Sequence, residues 1–253
     1  MKRVLLLSII IFICSPAIFA NNESKELWEK AYHQYRAADY DGALGSYLQI
    51  EGKGLSSKEL SFNIGNCYFK KKEYGKALLY FERALKYNPS DKDIIRNIEI
   101  TKDYTLDRIE VLPEFILRTW IRELNYTLSS NLWAWSGIVL MVSMFVMLLG
   151  FRFAPKSSLR KISLIFAIVA FTAALSAFSF AWSQKASFNK RDAAIVLTPV
   201  ASVKSSPDSE GKDLFMLHEG TKVKIIDHIA PWKRVVLSDG RDGWIREESI
   251  EVI

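Results

Sequence analysis

The chain contains two long runs without a charged side chain, residues 132–151 and 162–182, and these runs constrain its fold more than any other feature. At about 1.5 Å per helical residue, each run is long enough to cross the roughly 30 Å hydrocarbon core of a bilayer. A buried helix of a soluble protein is the alternative for either run. Because two such runs follow one another after a short connection, the sequence predicts a transmembrane helix over each range and a membrane hairpin formed by both.

The connection between the two runs is basic, which indicates the side of the membrane that it occupies. It has no acidic residue and four cations: Arg152, Lys156, Arg160 and Lys161. Short cytoplasmic loops are rich in Lys and Arg, so this loop is predicted to be cytoplasmic. Further cations flank the outer ends of the runs: Arg118, Arg122, Lys185, Lys190 and Arg191. Three tryptophans meet at one interface if the helices run antiparallel: Trp133, Trp135 and Trp182.

The first twenty residues have the layout of a secretory signal peptide, with Lys2 and Arg3 before an apolar stretch that ends at Ala20. An uncleaved N-terminal anchor is the alternative, and either one directs the rest of the chain to export. The prediction is therefore a bacterial inner-membrane protein with two spans and periplasmic soluble parts. Cleavage would remove two cations and lower the formal charge from +6 to +4, which does not indicate a nucleic-acid partner. Cys67 would then be the only thiol, so no intramolecular disulfide could form.

An internal repeat of 34 residues is the strongest signal outside the apolar runs. Residues 39–47 align with residues 73–81, so that Ala43 corresponds to Ala77. This period, with small and aromatic residues at fixed positions, resembles the tetratricopeptide repeat, in which each unit is a pair of helices. The resemblance predicts repeats over 24–57 and 58–91. A closing helix after Asp91 completes an all-α domain over 24–106.

The tetratricopeptide family presents the first helix of each repeat on a concave surface that binds peptides or partner proteins. In the second repeat, the resemblance places Asn63, Asn66 and Lys70 on that surface as partner-binding residues, with simple solvation as the alternative. Cys67 in the same helix is predicted to be a small packing residue. A redox role is the alternative, but no second cysteine or activating motif accompanies it.

The segment just before the first apolar run, residues 113–128, is amphipathic. Its apolar residues share one helical face: Leu117, Trp120, Ile121, Leu124 and Leu128. A helix that lies on the membrane surface explains this pattern, and so does a helix packed on the preceding repeats.

Beyond the second run, over residues 192–253, the pattern changes to short β runs. Five of them are separated by turn residues: 195–197, 200–204, 222–226, 233–237 and 243–245. Five strands in about sixty residues predict a small all-β barrel. The turn at Asp239-Gly240 and the positions of Trp232 and Trp244 resemble the bacterial SH3-like family. The two tryptophans are candidates for a ligand-binding aromatic pair, with a role in the core as the alternative.

Histidines do not indicate a metal site, because His218 and His228 are separated by a strand and a turn, with no third ligand nearby. No motif of an enzyme or cofactor site is present either. The chain lacks a glycine-rich phosphate loop, a Gly-x-Ser-x-Gly turn, and paired histidines on one helix face. The sequence therefore predicts a protein that is not an enzyme and has no cofactor.

The order of these parts resembles the BatE family of Bacteroides aerotolerance proteins. The resemblance runs from the repeats through Leu112-Pro113-Glu114-Phe115 and Trp133-Ala134-Trp135 to the SH3-like end. It implies a membrane protein that acts with BatA-like and BatB-like von Willebrand A-domain membrane proteins and, indirectly, with a MoxR-type ATPase. A role in aerotolerance or envelope stress is implied by the family alone.

Two binding functions are compatible with this organisation. In the first, the repeats and the barrel both hold protein partners, and the chain is a membrane-anchored assembly scaffold in which tethering raises effective concentration. In the alternative, the barrel binds peptidoglycan peptides of the cell wall and the repeats act as a spacer.

Overall fold

A computed structural model describes residues 22–109 and 115–253. The predicted signal peptide lies outside the described residues, and so does Pro113, the predicted start of the amphipathic helix. The chain forms two compact units that divide between Leu55 and Ser56. Helical repeats at the N-terminal side are followed by two long apolar helices and a C-terminal antiparallel sheet, as the sequence predicts.

The first unit contains a helical hairpin, α1 (Asn22–Arg36) and α2 (Tyr40–Gly52). The Asp39 carboxylate accepts a hydrogen bond from the backbone N–H of Gly42 and caps α2. The two helices are held by an edge-to-face contact of Trp28 with Tyr47, whose ring centroids are 5.3 Å apart. The hairpin therefore has the helix–turn–helix geometry that the first copy of the repeat, residues 24–57, predicts.

The second unit begins with three helices: α3 (Lys58–Lys70), α4 (Tyr74–Tyr87) and α5 (Lys92–Lys102). The α5 helix is the predicted closing helix. Asp91 caps it by accepting hydrogen bonds from the N–H groups of Asp93 and Ile94. Its inner face buries Ile94, Ile98 and Thr101, and the Thr101 hydroxyl is satisfied by the carbonyl of Asn97 at 2.6 Å.

The 34-residue period of the sequence is also a period of the backbone and of burial. Ala38 and Lys72, 34 positions apart, both have a positive φ, +62° and +64°, in the turns that join the paired helices. Few residues other than glycine adopt this conformation, so its recurrence at one spacing indicates the same turn twice. Ala43 and Ala77 are likewise both fully buried. Each helical pair is thus built to one pattern.

Three helices come next: α6 (Ile116–Asn125), α7 (Ser130–Phe153) and α8 (Ser157–Asn189). Helices α7 and α8 are long and apolar enough to cross a membrane, and they contain the two predicted spans. They pack on each other through small residues. Alanines line the buried side of α8 at positions 167, 174, 177 and 181, and the ring of Phe178 lies over Gly137 of α7.

The residues that the structure describes leave the outer faces of this pair uncovered. Within the most apolar window of each helix, 6% of the residues of α7 and 17% of those of α8 are buried. A core helix of a soluble protein would be mostly buried. The α6 helix also exposes its apolar face, since Leu117, Trp120 and Leu124 each retain more than half of their accessible surface. The apolar face of α6 is therefore not packed on the repeats.

Neutral hydrogen bonds join α6 and the start of α7 to α8, and we call this cluster the helix collar: Asn125, Leu128, Ser130, Trp133, Ala181 and Gln184. The Gln184 amide donates to the carbonyls of Asn125 and Leu128. The Trp133 indole donates to the Asn125 carbonyl at 2.8 Å, and the Ser130 hydroxyl donates to the Ala181 carbonyl at 2.9 Å. The collar therefore fixes the orientation of α6 relative to α7 and α8.

The C-terminal sheet differs from the predicted five-stranded barrel. It has seven antiparallel strands in the order β3-β2-β6-β5-β4-β1-β7, and β3 and β7 are its two edges, so the sheet is not closed. The strands are β1 (Ala193–Val196), β2 (Val200–Lys204), β3 (Asp213–His218), β4 (Lys222–Ile229), β5 (Trp232–Val236), β6 (Asp242–Arg246) and β7 (Ile250–Val252). Strands β3 and β7 were missing from the prediction. The predicted hairpin turn is confirmed, because Gly240 has a φ of +92° between β5 and β6.

Candidate protein-interaction site

The second repeat is a tightly packed helical pair. A methyl group added at Gly65 of α3 would lie 2.6 Å from the ring of Phe81 on α4, so only glycine permits this approach. Phe81, Ala77 and Ala84 are all fully buried against the facing helix. This is the packing that the small and aromatic positions of the repeat predict. It makes α3 and α4 a rigid support for side chains on their outer surfaces.

The predicted partner-binding residues lie together on α3. Asn63, Asn66 and Lys70 are three and four positions apart, and this spacing places them on one side of the helix. Both asparagines are partly exposed, and Lys70 is exposed. Within the described residues, no hydrogen bond or ion pair occupies these side chains. The α3 surface thus offers two amides and one ammonium group to a partner.

The outer side of α4, by contrast, is covered by the C-terminal sheet. Glu82 of α4 is 6% exposed, and its carboxylate accepts a hydrogen bond of 2.6 Å from the ammonium group of Lys222 on β4. Glu219 accepts a hydrogen bond from the N–H of Gly75 at 3.0 Å and so caps the start of α4, which has no side-chain cap of its own. The convex side of the second repeat is therefore already occupied within the chain.

The linker after α5 is also fastened to the sheet. The Asp107 carboxylate accepts hydrogen bonds from the Thr221 hydroxyl at 2.6 Å and from the His218 backbone N–H at 2.7 Å. The imidazole Nδ1 of His218 lies 2.7 Å from the second carboxylate oxygen. Burial alone would raise the pKa of Asp107, but the hydrogen bonds from Thr221 and His218 together hold it below its ordinary value. Nearby, Ile109 packs against the core of the sheet.

We call this set of contacts the repeat–sheet junction: Glu82, Asp107, His218, Glu219 and Lys222. Further contacts at the rim of the repeat–sheet junction reach the last strand, β7, and the end of the chain. The Arg83 guanidinium donates to the Glu251 carboxylate at 2.7 Å and to the Val252 carbonyl at 3.0 Å. The Lys86 ammonium donates to the carbonyls of Lys190 and Ile253. Burial lowers the pKa of Lys86, and the nearby Arg191 adds to that effect.

A cleft of about 330 Å³ opens beside the junction, and its lining includes Lys102, Asp107, Arg108 and Lys222. Charges of both signs line it, and three of them already have partners: Asp107 binds His218 and Thr221, Lys222 binds Glu82, and Arg108 pairs with Asp103. The cleft therefore lacks the convergent, unsatisfied polar groups that recognise a small ligand.

The two tryptophans of the sheet lie on neighbouring strands, Trp232 on β5 and Trp244 on β6. The pairing register sets Trp232 opposite Arg246 and Arg234 opposite Trp244, so both rings are on the face away from the Val235–Ile245 side of the core. Trp232 is 5% exposed and Trp244 9%. The Arg246 guanidinium lies 5.3 Å from the centroid of the Trp232 ring. The structure brings the pair onto one face but leaves little ring surface for a ligand.

Cys67 lies in the interior of the second repeat. It is fully buried, and burial raises the pKa of its thiol to about 12, with Lys71 opposing that rise only in part. A thiol in this state is a poor nucleophile at neutral pH. The structure thus places Cys67 where a packing residue belongs.

Sequence reasoning missed the junction residues. Glu82 carried a signal that could have been read, because a carboxylate inside a helix flanked by buried Phe81 and Ala84 requires a partner. Asp107 and His218 gave no such signal, since they are 111 positions apart.

Comparison with known proteins supports one part of this organisation. The family model for the tetratricopeptide repeat matches residues 59–91, which contain α3 without its first residue, all of α4 and the cap of α5. The second repeat is thereby confirmed as a tetratricopeptide repeat, a non-catalytic fold that binds proteins. No curated protein matches the chain.

Proposed function

We propose that this protein is a membrane-anchored scaffold that binds another protein through the α3 surface of its second repeat. One observation carries the proposal: the sheet covers the α4 side of the repeat, while Asn63, Asn66 and Lys70 on α3 keep solvent access and have no hydrogen bond or ion pair among the described residues. Tetratricopeptide repeats bind partners through the surface formed by these first helices. The junction holds that surface at a fixed position on the sheet.

Membrane anchoring by α7 and α8 is the second element of the proposal. Their exposed apolar faces need a cover, and lipid supplies one without a further protein. Arg152, Lys156, Arg160 and Lys161 at the turn between them favour a cytoplasmic turn. The repeats and the sheet are then in the periplasm, next to the bacterial inner membrane.

The resemblance to the BatE family directs the choice of partner. It favours von Willebrand A-domain membrane proteins of the BatA-like and BatB-like kind, linked through them to a MoxR-type ATPase, and a role in aerotolerance or envelope stress. The repeat itself supports a protein partner in general. An anchored repeat can bind a second membrane protein efficiently, since anchoring both partners in one bilayer raises their effective concentration.

Affinity purification of the full-length protein from mildly solubilised membranes, followed by mass spectrometry, tests this proposal. We expect the wild type to recover von Willebrand A-domain membrane proteins and the Asn63→Ala/Asn66→Ala/Lys70→Glu variant to lose them. Arg96→Glu is the matched control, because it makes the same change of charge at an exposed position of α5. Equal recovery by all three proteins would rule out the α3 surface.

The cell-wall alternative gains less support from the structure, because Trp232 and Trp244 expose too little ring surface to stack on a ligand. It can be tested in the same preparation by incubation with purified peptidoglycan. Retention of the wild type with loss in Trp244→Ala, together with an absence of protein partners, would favour the alternative over the scaffold.

A further inference from the structure

A second cleft, of about 560 Å³, lies between α6 and α8. Three cationic residues line it: Arg118 and Arg122 from α6, and Lys190 at the end of α8. The lining also includes polar groups that can donate hydrogen bonds: the hydroxyls of Tyr126 and Ser183 and the indole of Trp182. No carboxylate is among its described lining residues. The chemistry of the cleft therefore favours an anion with several oxygen acceptors.

The position of the cleft along α8, relative to the membrane boundary, indicates which kind of anion it binds. Trp182, the last residue of the uncharged run, is 77% exposed, and the helix collar lies at the same level through Ala181 and Gln184. Exposed tryptophans of this kind mark the boundary between hydrocarbon and headgroups. The apolar face of α6 is also exposed there and can enter the same boundary. Phosphate groups of lipids occupy this level of a bilayer.

The opposite flank of α8 provides an internal comparison. A cleft of about 440 Å³ there contains Lys86 and Lys185. The Lys86 ammonium already donates to two backbone carbonyls, and a lone Lys185 remains. On the α6 side, by contrast, Arg118 and Lys190 approach one cleft from two different helices.

We propose that the cleft between α6 and α8 binds the phosphate headgroup of one anionic phospholipid. The inference rests on the proposed insertion of α7 and α8 into a membrane. Arg118 and Lys190 contact the phosphate from the two helices, while the acyl chains lie along the exposed face of α8. Bound lipid therefore bridges α6 and the end of α8, next to the collar that already joins these helices.

Native mass spectrometry of the full-length protein in detergent micelles, titrated with phosphatidylglycerol, tests the proposal. We expect one saturable phosphatidylglycerol site in the wild type and roughly thirtyfold weaker binding in Arg118→Gln/Lys190→Gln, since each cation near an anionic surface contributes a factor of about five. Arg118→Lys/Lys190→Arg should keep most of the affinity. Lys185→Gln, which removes a cation at a similar depth on the other flank, should change it less than about twofold.

Three results would overturn the site. One is equal affinity for phosphatidylglycerol and neutral phosphatidylcholine, and another is equal loss in Lys185→Gln and in the double variant. The third is displacement of the lipid by glycerol phosphate at equal concentration, which would assign the cleft to a soluble phosphate ester. Carbonate extraction of membranes separates this inference from the proposed function. Release of the chain into the supernatant would contradict both the membrane anchoring and the lipid site. Retention in the membrane without discrimination between lipids would contradict the lipid site alone.

Discussion

The repeat–sheet junction and the helix collar both join distant parts of the chain, but they use different chemistry. The junction relies on ionised side chains, with Glu82 bound to Lys222 and Asp107 bound to Thr221 and His218. The collar relies on neutral groups, with amide, indole and hydroxyl donors bound to backbone carbonyls. Charges are stabilised by nearby water, and they are expensive beside hydrocarbon. With α7 and α8 inserted in a membrane as proposed, the choice of groups follows the solvent that the repeat–sheet junction and the helix collar each face.

This difference has consequences for stability. Removing one partner of a partly buried ion pair leaves a charge without compensation, and the penalty is large and depends on pH. Removing one neutral donor leaves unsatisfied carbonyls, with a smaller penalty that does not depend on pH. Variants of the repeat–sheet junction and of the helix collar should therefore differ in how much stability they lose and in whether that loss depends on pH.

The largest effect is expected for Lys222→Met. The substitution leaves the Glu82 carboxylate buried without its cation, which costs about 3–5 kcal/mol for a fully buried pair. The Lys222 side chain is 43% exposed, so we expect a loss of about 2–3 kcal/mol in the free energy of unfolding. Urea unfolding of the full chain in detergent micelles, followed by circular dichroism, measures it.

The double variant Glu82→Leu/Lys222→Met is the control for that experiment. It removes both charges and should recover most of the lost stability, because an apolar pair can replace a buried ion pair. If the single and double variants are equally unstable, the penalty comes from packing and the contrast between the junctions fails.

A smaller effect is expected for Gln184→Leu in the collar. The variant leaves the Leu128 carbonyl without its donor and removes one of two donors to the Asn125 carbonyl, a loss of about 1–2 kcal/mol. Local unfolding of α6 would let trypsin reach the backbone after Arg118 and Arg122, whose side chains are already exposed, and cleavage should accelerate by roughly tenfold. Ser176→Ala is the control, because its hydroxyl donates within its own helix. The ratio of the cleavage rates of Gln184→Leu and wild type should be the same at mildly acidic and neutral pH. A ratio that changes with pH would contradict a helix collar built from neutral groups.

The Asp107 contacts should give a still smaller effect with a defined pH dependence. The pKa of Asp107 is lowered in the folded protein, so its stabilisation is present above the ordinary aspartate value of about 3.9 and is lost as pH falls through the folded value. The stability difference between wild type and Asp107→Asn should therefore be constant near neutrality and shrink below about pH 4. Urea midpoints of both proteins over this range measure the difference. A difference that grows in acid would contradict the assignment.

Local patterns predicted the elements of this fold, whereas the contacts that join them could not be predicted. The repeat and the apolar runs have periods that one stretch of sequence reveals, and Gly65 and Asp91 have the roles that their positions imply. Strand β3 was missed because Leu214 and Met216 are exposed on it, which hides the alternation that marks a half-buried strand. The end of α8 was missed because a helix can continue past its apolar run. The surface residues of α3 were placed from the repeat alone, and their role stays a prediction.

The smallest effect is expected at the rim of the repeat–sheet junction, from Glu251→Gln. The variant removes the ion pair between Glu251 and Arg83, in which the Glu251 side chain is 48% exposed. The hydrogen bond from Arg83 to the Val252 carbonyl stays intact. Exposed ion pairs contribute about 0.2–1 kcal/mol and are screened by salt. We expect a loss of about 0.5 kcal/mol at low salt that vanishes near 1 M sodium chloride. Urea midpoints at the two salt concentrations measure it. A loss as large as that of Lys222→Met would mean that the rim, rather than buried Glu82, holds the repeat to the sheet.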